Sequence, residues 1–564
     1  MFYIHHVNVK LFFIVICKLL FTVNCISTTN EITNLPIDTT FKLPSPLPTF
    51  PKGAGFATGE IDLGGLKIRQ ISSFKKICST NEGGPNNLGA TFFEPSSIPN
   101  GFSMLGAYAQ PNNQPLFGWV LVGKTNAKDN SGNILKPPID YTLQANINNA
   151  YFWVPTPPDG YKPIGLVVTT SPDKPSLDKI QCVRSDFTDE LETDNWIWGE
   201  NGLNVYGLRP KTRGTNAQPV SVGTFNVQTS AKPTLPLSYL KNKNTIFTST
   251  PNRNQIETLF QTYSPFIYFH PEENYLPSSV NWFFANGALL YTKGKESSPV
   301  SIQPNGSNLP QGGSNDGLYW LDLPVDKRAR ENVVKGDLQS AEVYLHVKPV
   351  LGSTFTDIQM WVFYPFNGHA AAKLGFLKKV SLGHIGEHVG DWEHVTMRIS
   401  NFDGTIYRVF FAQHDGGKWV DSSLLEYQNG NKFAVYASLN GHASYNRAGL
   451  VLLGGDDDFG VRDDTSRSGA VMDTGGVFKV VAADGLGKGE SVVAPPWLEY
   501  AREWGPNVTY DFGKEVKKIE KLLFGSVKKK FTNLMNSLPS EIYGKEGPTG
   551  PKMKDNWNGD EHEN

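Results

Sequence analysis

The densest run of ionisable side chains lies in Gly383–Ile399, where His384, Glu387, His388, Asp391, Glu393 and His394 crowd together. If Asp391 opens a β-strand, Asp391 and Glu393 share one face, because side chains alternate; Val395, Met397 and Ile399 carry that face into a core. Two carboxylates at the mouth of an apolar face repel each other. A bound cation, a basic partner or a raised pKa relieves the repulsion. His388 stands three residues earlier, where a turn brings its imidazole beside the carboxylates. His442, in Leu439-Asn-Gly-His-Ala-Ser-Tyr445, follows another strand and can approach the same sheet end. A mixed imidazole and carboxylate set suits Zn or Mn; if the histidines act only through water, Mg or Ca becomes the better fit. The competing reading leaves His384, Glu387 and His394 on the surface and pairs Asp391 with Arg398 or a lysine.

Other chemistries have less support. No HExxH and no CxxC occurs, and the Gly-x-Ser-x-Gly traces are poor. A metal-dependent hydrolase would need Glu393 as general base on a bound water; a non-enzymatic role is the favoured expectation. The acidic residues Asp456–Asp458, Asp463 and Asp464 read as a solvated loop that could lend the site a carboxylate. The first 27 residues resemble a secretory signal peptide, with a short apolar stretch from Leu11 interrupted by Lys18. Without them only Cys78 and Cys182 remain, a pair compatible with one disulfide. Asn305 and Asn507 open glycosylation sequons that would be used in the secretory pathway.

The elements that must position these residues are mostly strands. Short aromatic and β-branched runs alternate with Gly, Pro and Asn clusters, so the chain reads as mainly β. Residues 53–230 form one β-rich module with a weak internal repeat. Thr91-Phe-Phe-Glu-Pro95 and the following turn resemble Tyr151-Phe-Trp-Val-Pro155 and its turn, and a degenerate third copy runs from Tyr206 to Gly223. A three-fold β-prism or propeller-like arrangement satisfies such units, with a surface available to protein partners. A Thr/Pro/Asn-rich linker is expected over 231–254, then a short helix over Ile256–Tyr263. Residues 255–500 read as a β-sandwich, with Asp357-Ile-Gln-Met-Trp-Val-Phe-Tyr364 as a clear strand. A basic amphipathic helix is expected over 510–540, docked on the protein's own sheet or lying on an anionic membrane. The Gly/Pro-rich tail 541–564 reads as flexible. With 52 Lys and Arg against 54 Asp and Glu, bulk binding to nucleic acid is disfavoured. No apolar run reaches the ~20 residues of a membrane-spanning helix.

The segment His388-x-x-Asp-Trp-Glu-His-Val395 resembles the heptapeptide region of the necrosis- and ethylene-inducing-peptide-like cytolysins of plant pathogens. There a Gly-His-Arg-His-Asp-Trp-Glu segment helps hold a divalent cation in a β-sandwich. The order of Trp361-Val-Phe-Tyr-Pro-Phe-Asn367, the motif and His442 is similar too. The resemblance implies metal roles for His388, Asp391, Glu393 and His442, with Asn367, His384 and His394 as additional candidates. It favours Mg or Ca over Zn or Mn, and a membrane-lipid or glycan ligand. Asn367 stands where that family has an aspartate, and Gly390 where it has a second histidine. Nearly the whole chain is similar to a closer family, the plant vacuolar protein sorting-associated protein 62 proteins. The similarity is carried by Gly53–Asp62, Phe92–Ser97, Gln110–Gly118, Tyr268–Pro271, Gly390–His394 and Gly547–Pro551. The name of that family suggests vacuolar sorting; a cleaved leader would place the chain in the secretory pathway (vacuole, apoplast or endomembrane), and an uncleaved one in the cytoplasm or peripheral to a membrane.

Overall fold

The computed structural model describes residues 34–563, apart from 54, 127–132, 148–149, 230–234, 247, 415, 457, 487–489, 508–509 and 537–546. The expected leader, residues 1–27, lies outside the described residues. The helices are few and short, and strands dominate throughout.

The N-terminal module is a triplication, and each copy contributes six strands. The first copy runs from Leu66–Ile71 to Val120–Thr125, the second from Leu135–Lys136 to Cys182–Arg184, and the third from Thr188–Asp189 to Tyr239–Lys241. In every copy the second, third and fifth strands pair into one sheet, and the first, sixth and fourth into another. The third strands, Ala90–Pro95, Ala150–Thr156 and Leu203–Pro210, are the aromatic runs that betray the repeat. Phe92, Phe152 and Phe225 meet where the copies converge, with ring centroids 4.9, 5.6 and 6.3 Å apart. The backbones also close in there: a Cβ on Gly106 would lie 2.8 Å from the Cα of Gly165, so the junction excludes larger residues.

Two sequence expectations change here. The segment 231–254 is not simply a linker. Its Tyr239–Lys241 strand completes the third copy, pairing with Thr188–Asp189 and Pro219–Val220. Three residues are too few to show alternation, and their Thr/Pro/Asn surroundings mask them. Cys78 and Cys182 are free thiols. They sit in different sheets, and Cys182 is fully buried.

Helix Arg253–Tyr263 starts three residues before the expected Ile256, because Asn252 and Gln255 close a capping box. It packs Ile256, Leu259, Phe260 and Tyr263 against a sandwich. One sheet has six strands in the order Gly416–Asp421, Ile406–Gln413, His388–Ser400, Phe355–Asn367, Val343–Val350 and Phe478–Ala483. The facing sheet contains Phe266–Tyr268 and Lys432–Ala437, paired in parallel. Phe355–Asn367 is buried almost throughout because the sheet is covered on both faces. Ile358, Met360, Val362 and Tyr364 enter the inner core, while Trp361 and Phe363 enter an outer one.

The outer cover includes the segment expected to be a flexible tail. Trp557 is buried and stacks on His346 at 3.9 Å. Glu561 reaches into the sheet face and accepts from Thr396, from Gln359 at 2.9 Å and from Asn556 at 2.7 Å. The buried Lys348 ammonium donates to the carbonyls of Asn556 at 2.6 Å and Gly559 at 2.8 Å. Arg398 grips Asp357 through two 2.8 Å bonds and Asp560 through one of 3.0 Å. Arg213 of the N-terminal module also pairs with Asp560, at 2.9 Å. The tail thus clasps both halves. Its polar composition gave a loop reading because its partners are polar groups buried elsewhere in the chain.

The C-terminal helical pattern is realised as two helices, Phe512–Glu520 and Gly525–Asn536, rather than one. Gly525, at φ 57°, marks the break. Ile519, Leu523, Phe531, Leu534 and Met535 dock on the sheet formed by Ala371–Leu374, Leu377–Ser381, Gly449–Asp456 and Phe459–Thr465.

Candidate functional site

The motif strand, His388–Ser400, lies inside the six-stranded sheet between Phe355–Asn367 and Ile406–Gln413. Val395, Met397 and Ile399 enter the inner core as alternation requires. Gly390 then reverses the alternation. Its φ of 69° is left-handed, and a Cβ there would lie 2.3 Å from the Trp504 carbonyl oxygen. Val389 and Trp392, three residues apart, accordingly both fall in the outer cluster. His388 and Asp391 are left together on the other side. The second histidine of the cytolysin heptapeptide has no room at this position.

His442 closes the site from the loop after Lys432–Ala437. Its ring is fully buried and stacks on Tyr364 at 3.8 Å and 5°. Its Nδ1 lies 2.9 Å from Asp391 Oδ2. A carboxylate can only accept, so Nδ1 carries the hydrogen of this bond. Among the described residues Nε2 has no hydrogen-bond partner, and it faces Glu273 Oε2 at 3.9 Å. Glu273, which the sequence reading missed, accepts from the backbone N–H of Asn440 at 2.6 Å and of Tyr275 at 2.8 Å. Its only signal was its place in the loop after Tyr268-Phe-His-Pro271.

The charges are unevenly shared. Burial and the neighbouring Asp391 push the Glu393 carboxyl well above the ordinary range. Burial would raise Asp391 too, but the His442 hydrogen bond and the nearby His388 outweigh it and hold that carboxyl below its usual value. Burial lowers His388 against the opposing pull of Asp391 and the Gly390 backbone, and among the described residues its Nδ1 has no side-chain partner. On the far side of Glu393, Asp463 accepts from Tyr445 and lies 2.9 Å from His414 Nε2. Of the acidic residues expected in a solvated loop, Asp463 is therefore buried beside the site, whereas Asp458 pairs with Lys373 at 3.0 Å.

Other candidates are placed differently. His394 lies on the opposite face, stacked on Trp361 at 4.5 Å and 3.0 Å from Glu561 Oε2. It cannot join Asp391 and Glu393, because residues one apart on a strand face opposite ways. Arg398 pairs with Asp357 and Asp560 rather than Asp391. His384 is exposed and bound to Glu387 at 2.7 Å. Asn367 uses its amide to donate to Gly386 O at 2.7 Å and Gly368 O at 3.1 Å, tying the strand end to the neighbouring loop. The sequon residues Asn305 and Asn507 are both exposed.

Among the described residues, no three His, Cys, Asp or Glu side chains converge closely enough to chelate an ion as they stand. The donor chemistry nonetheless fits a cation: two buried imidazole nitrogens without side-chain hydrogen bonds among the described residues, beside carboxylates that cannot comfortably both ionise.

The architecture is that of a mainly β protein in which a triplicated module precedes a sandwich. The sequence matches the family model of vacuolar protein sorting-associated protein 62 over residues 37–561, and the chain belongs to that family. No curated protein matches the chain. Among solved structures, it is similar to GNIP1Aa from Chromobacterium piscinae, with 19% identity, 32% of this chain and 38% of that chain covered, and a TM-score of 0.26. It is also similar to NLPPya in complex with glucosamine, with 17% identity, 34% and 66% covered, and a TM-score of 0.19. A third is necrosis and ethylene inducing protein 2 from the causal agent of cocoa's witches' broom disease, with 12% identity, 43% and 80% covered, and a TM-score of 0.20. The match spans well under half the length of the first of these.

Proposed function

We propose that this chain is a non-enzymatic binding module in which His388, Asp391, Glu393 and His442, helped by Glu273, hold a divalent cation that serves recognition of a membrane lipid head group or a glycan. The observation that carries this reading is the pair of orphaned imidazole nitrogens, His388 Nδ1 and His442 Nε2, on the side of the sheet that presents Asp391 and Glu393. When bound, the cation would neutralise the paired carboxylates and offer open valences to sugar or phosphate oxygens. One oxygen of Asp391 orients His442 through the Nδ1 hydrogen bond, and its other oxygen is left for the cation. Glu273 holds the 439–442 loop in reach through the Asn440 N–H. Oxygen-rich coordination with the histidines acting through water suits Mg or Ca, and direct imidazole coordination suits Zn or Mn. The family's name ties it to vacuolar sorting, and we place the role at endomembranes.

Elemental analysis of the full chain tests the reading. Stoichiometric divalent metal is expected in the wild type and its loss in Glu393→Gln. Lipid and glycan binding should then fall on chelation. Equal metal content in both proteins, or none in either, would overturn it. A second reading makes the cluster purely structural and the protein an interaction partner in trafficking. It is favoured by the Glu273 bonds that join two loops through the backbone N–H groups of Asn440 and Tyr275. It predicts that Glu393→Gln changes unfolding and leaves ligand binding intact.

A further inference from the structure

The two C-terminal helices form a hairpin, since Glu520 on the first accepts from Thr532 on the second at 2.6 Å. One side docks on its sheet through Ile519, Leu523 and Phe531. The hairpin also carries seven lysines between Lys514 and Lys530, all exposed. Only two carboxylates lie within the same span. Glu515 takes Lys518 at 2.5 Å, and Glu520 faces Lys528 at 3.8 Å. Among the described residues, Lys517, Lys521 and Lys529 have no carboxylate within ion-pair reach. The protein as a whole has a formal charge of −2, so this is a strong local excess of positive charge.

Apolar side chains stand out from this basic layer. Leu522 and Phe524, at the turn between the helices, are 71% and 82% exposed. Phe376, in the turn of the supporting sheet, is also 82% exposed. The two turns belong to one layer. Phe459 lies against the Phe376 turn, where a Cβ on Gly375 would be 3.5 Å from its ring, and Lys530 Nζ sits 5.0 Å from the same ring. A single exposed phenylalanine is unremarkable on a protein surface. Two rings and a leucine at the tips of turns, flanked by unpaired ammonium groups, are what an interfacial anchor needs. The apolar tips enter the acyl boundary and the lysines meet anionic head groups. No helix among the described residues is long and apolar enough to cross a membrane, so the contact is a surface one.

We infer that the C-terminal helical hairpin, together with the Phe376 turn, is a docking surface for an anionic lipid bilayer, separate from the cation site. Acidic lipid provides the complementary charge, and the turn tips provide apolar contact that a soluble polyanion could not use. The hairpin is tied to the sandwich by its buried face, so docking would fix the orientation of the whole protein on the membrane.

Sedimentation of the full chain with vesicles tests this. Binding is expected to vesicles of phosphatidylcholine mixed with phosphatidylserine, and not to phosphatidylcholine alone. It should weaken with added salt, because exposed charges are screened. The triple variant Phe376→Ser, Leu522→Ser, Phe524→Ser should lose about tenfold or more in partitioning, and so should Lys517→Gln, Lys521→Gln, Lys529→Gln. All six residues are exposed, so both variants should unfold at the wild-type temperature. Both hairpin variants should keep the metal content of the wild type, which separates failure of this surface from failure of the cation site. Equal binding to both vesicle types, no binding to either, or unaltered binding by both variants would overturn the inference.

Discussion

Glu393 and Asp391 show how one strand face assigns two carboxylates different states. Asp391 has His442 as a donor and stays ionised, while Glu393 has burial and a like charge against it. Converting His442 to Phe keeps the stacking shape on Tyr364 but removes both nitrogens. Loss of metal together with a loss of about 1–3 kcal/mol in stability, because Asp391 is left buried without its donor, is the expected result, read by elemental analysis beside denaturant unfolding. Arg398 belongs to the other face and to a different logic. Its guanidinium is buried between Asp357 and Asp560. Arg398→Met leaves Asp357 buried and unpaired, and should cost about 3–5 kcal/mol in urea unfolding. A companion Asp357→Leu change should restore part of that loss.

At the level of elements, Gly390 makes the site by reversing the face of its strand. Gly390→Ala demands a left-handed backbone from an L-residue and a Cβ 2.3 Å from the Trp504 carbonyl. Destabilisation of about 2 kcal/mol or more is expected in denaturant unfolding. Metal content should fall too, because His388 would turn away from Asp391. The motif strand itself was legible from Asp391 onward, because Val395, Met397 and Ile399 alternate cleanly. His394 was misread as a candidate ligand because sequence shows that a residue is polar without showing that Glu561 waits on the opposite face. The split of the C-terminal helix was hinted at by Gly525, which the sequence marks as a weak point.

At the level of the molecule, the tail holds the two halves together. Trp557 and Glu561 fill the outer sheet face, and Asp560 links Arg398 to Arg213 across the halves. Trp557→Ala should cost about 3–5 kcal/mol, the usual range for a buried aromatic, and should speed hydrogen exchange in the strands under the tail. The clasp should also respond to acid through His346, which lies under Trp557. Burial depresses its pKa against the opposing pull of Asp484, and Lys348 adds to the depression. In the unfolded chain the imidazole titrates near its ordinary value. Above that pH both states are neutral and His346 has no effect. As the pH falls below it, the unfolded state takes up the proton first, so stability drops until the folded-state value is passed. Thermal unfolding followed downward from neutral pH should show this fall, and His346→Gln should flatten it.

Local chemistry alone established the mainly β character and the shared face of Asp391 and Glu393, because these depend on neighbours within a few residues, and the repeat showed through the similarity of its aromatic runs. The sequence also marked His442 as able to reach the site. Only the tertiary structure decided that His442 and Glu273 stand beside Asp391 and that Tyr239–Lys241 closes the third copy. It likewise decided that a polar tail is buried against charges two hundred residues away in the chain. Those outcomes rest on partners distant in sequence, whose desolvation and hydrogen bonding no local pattern records.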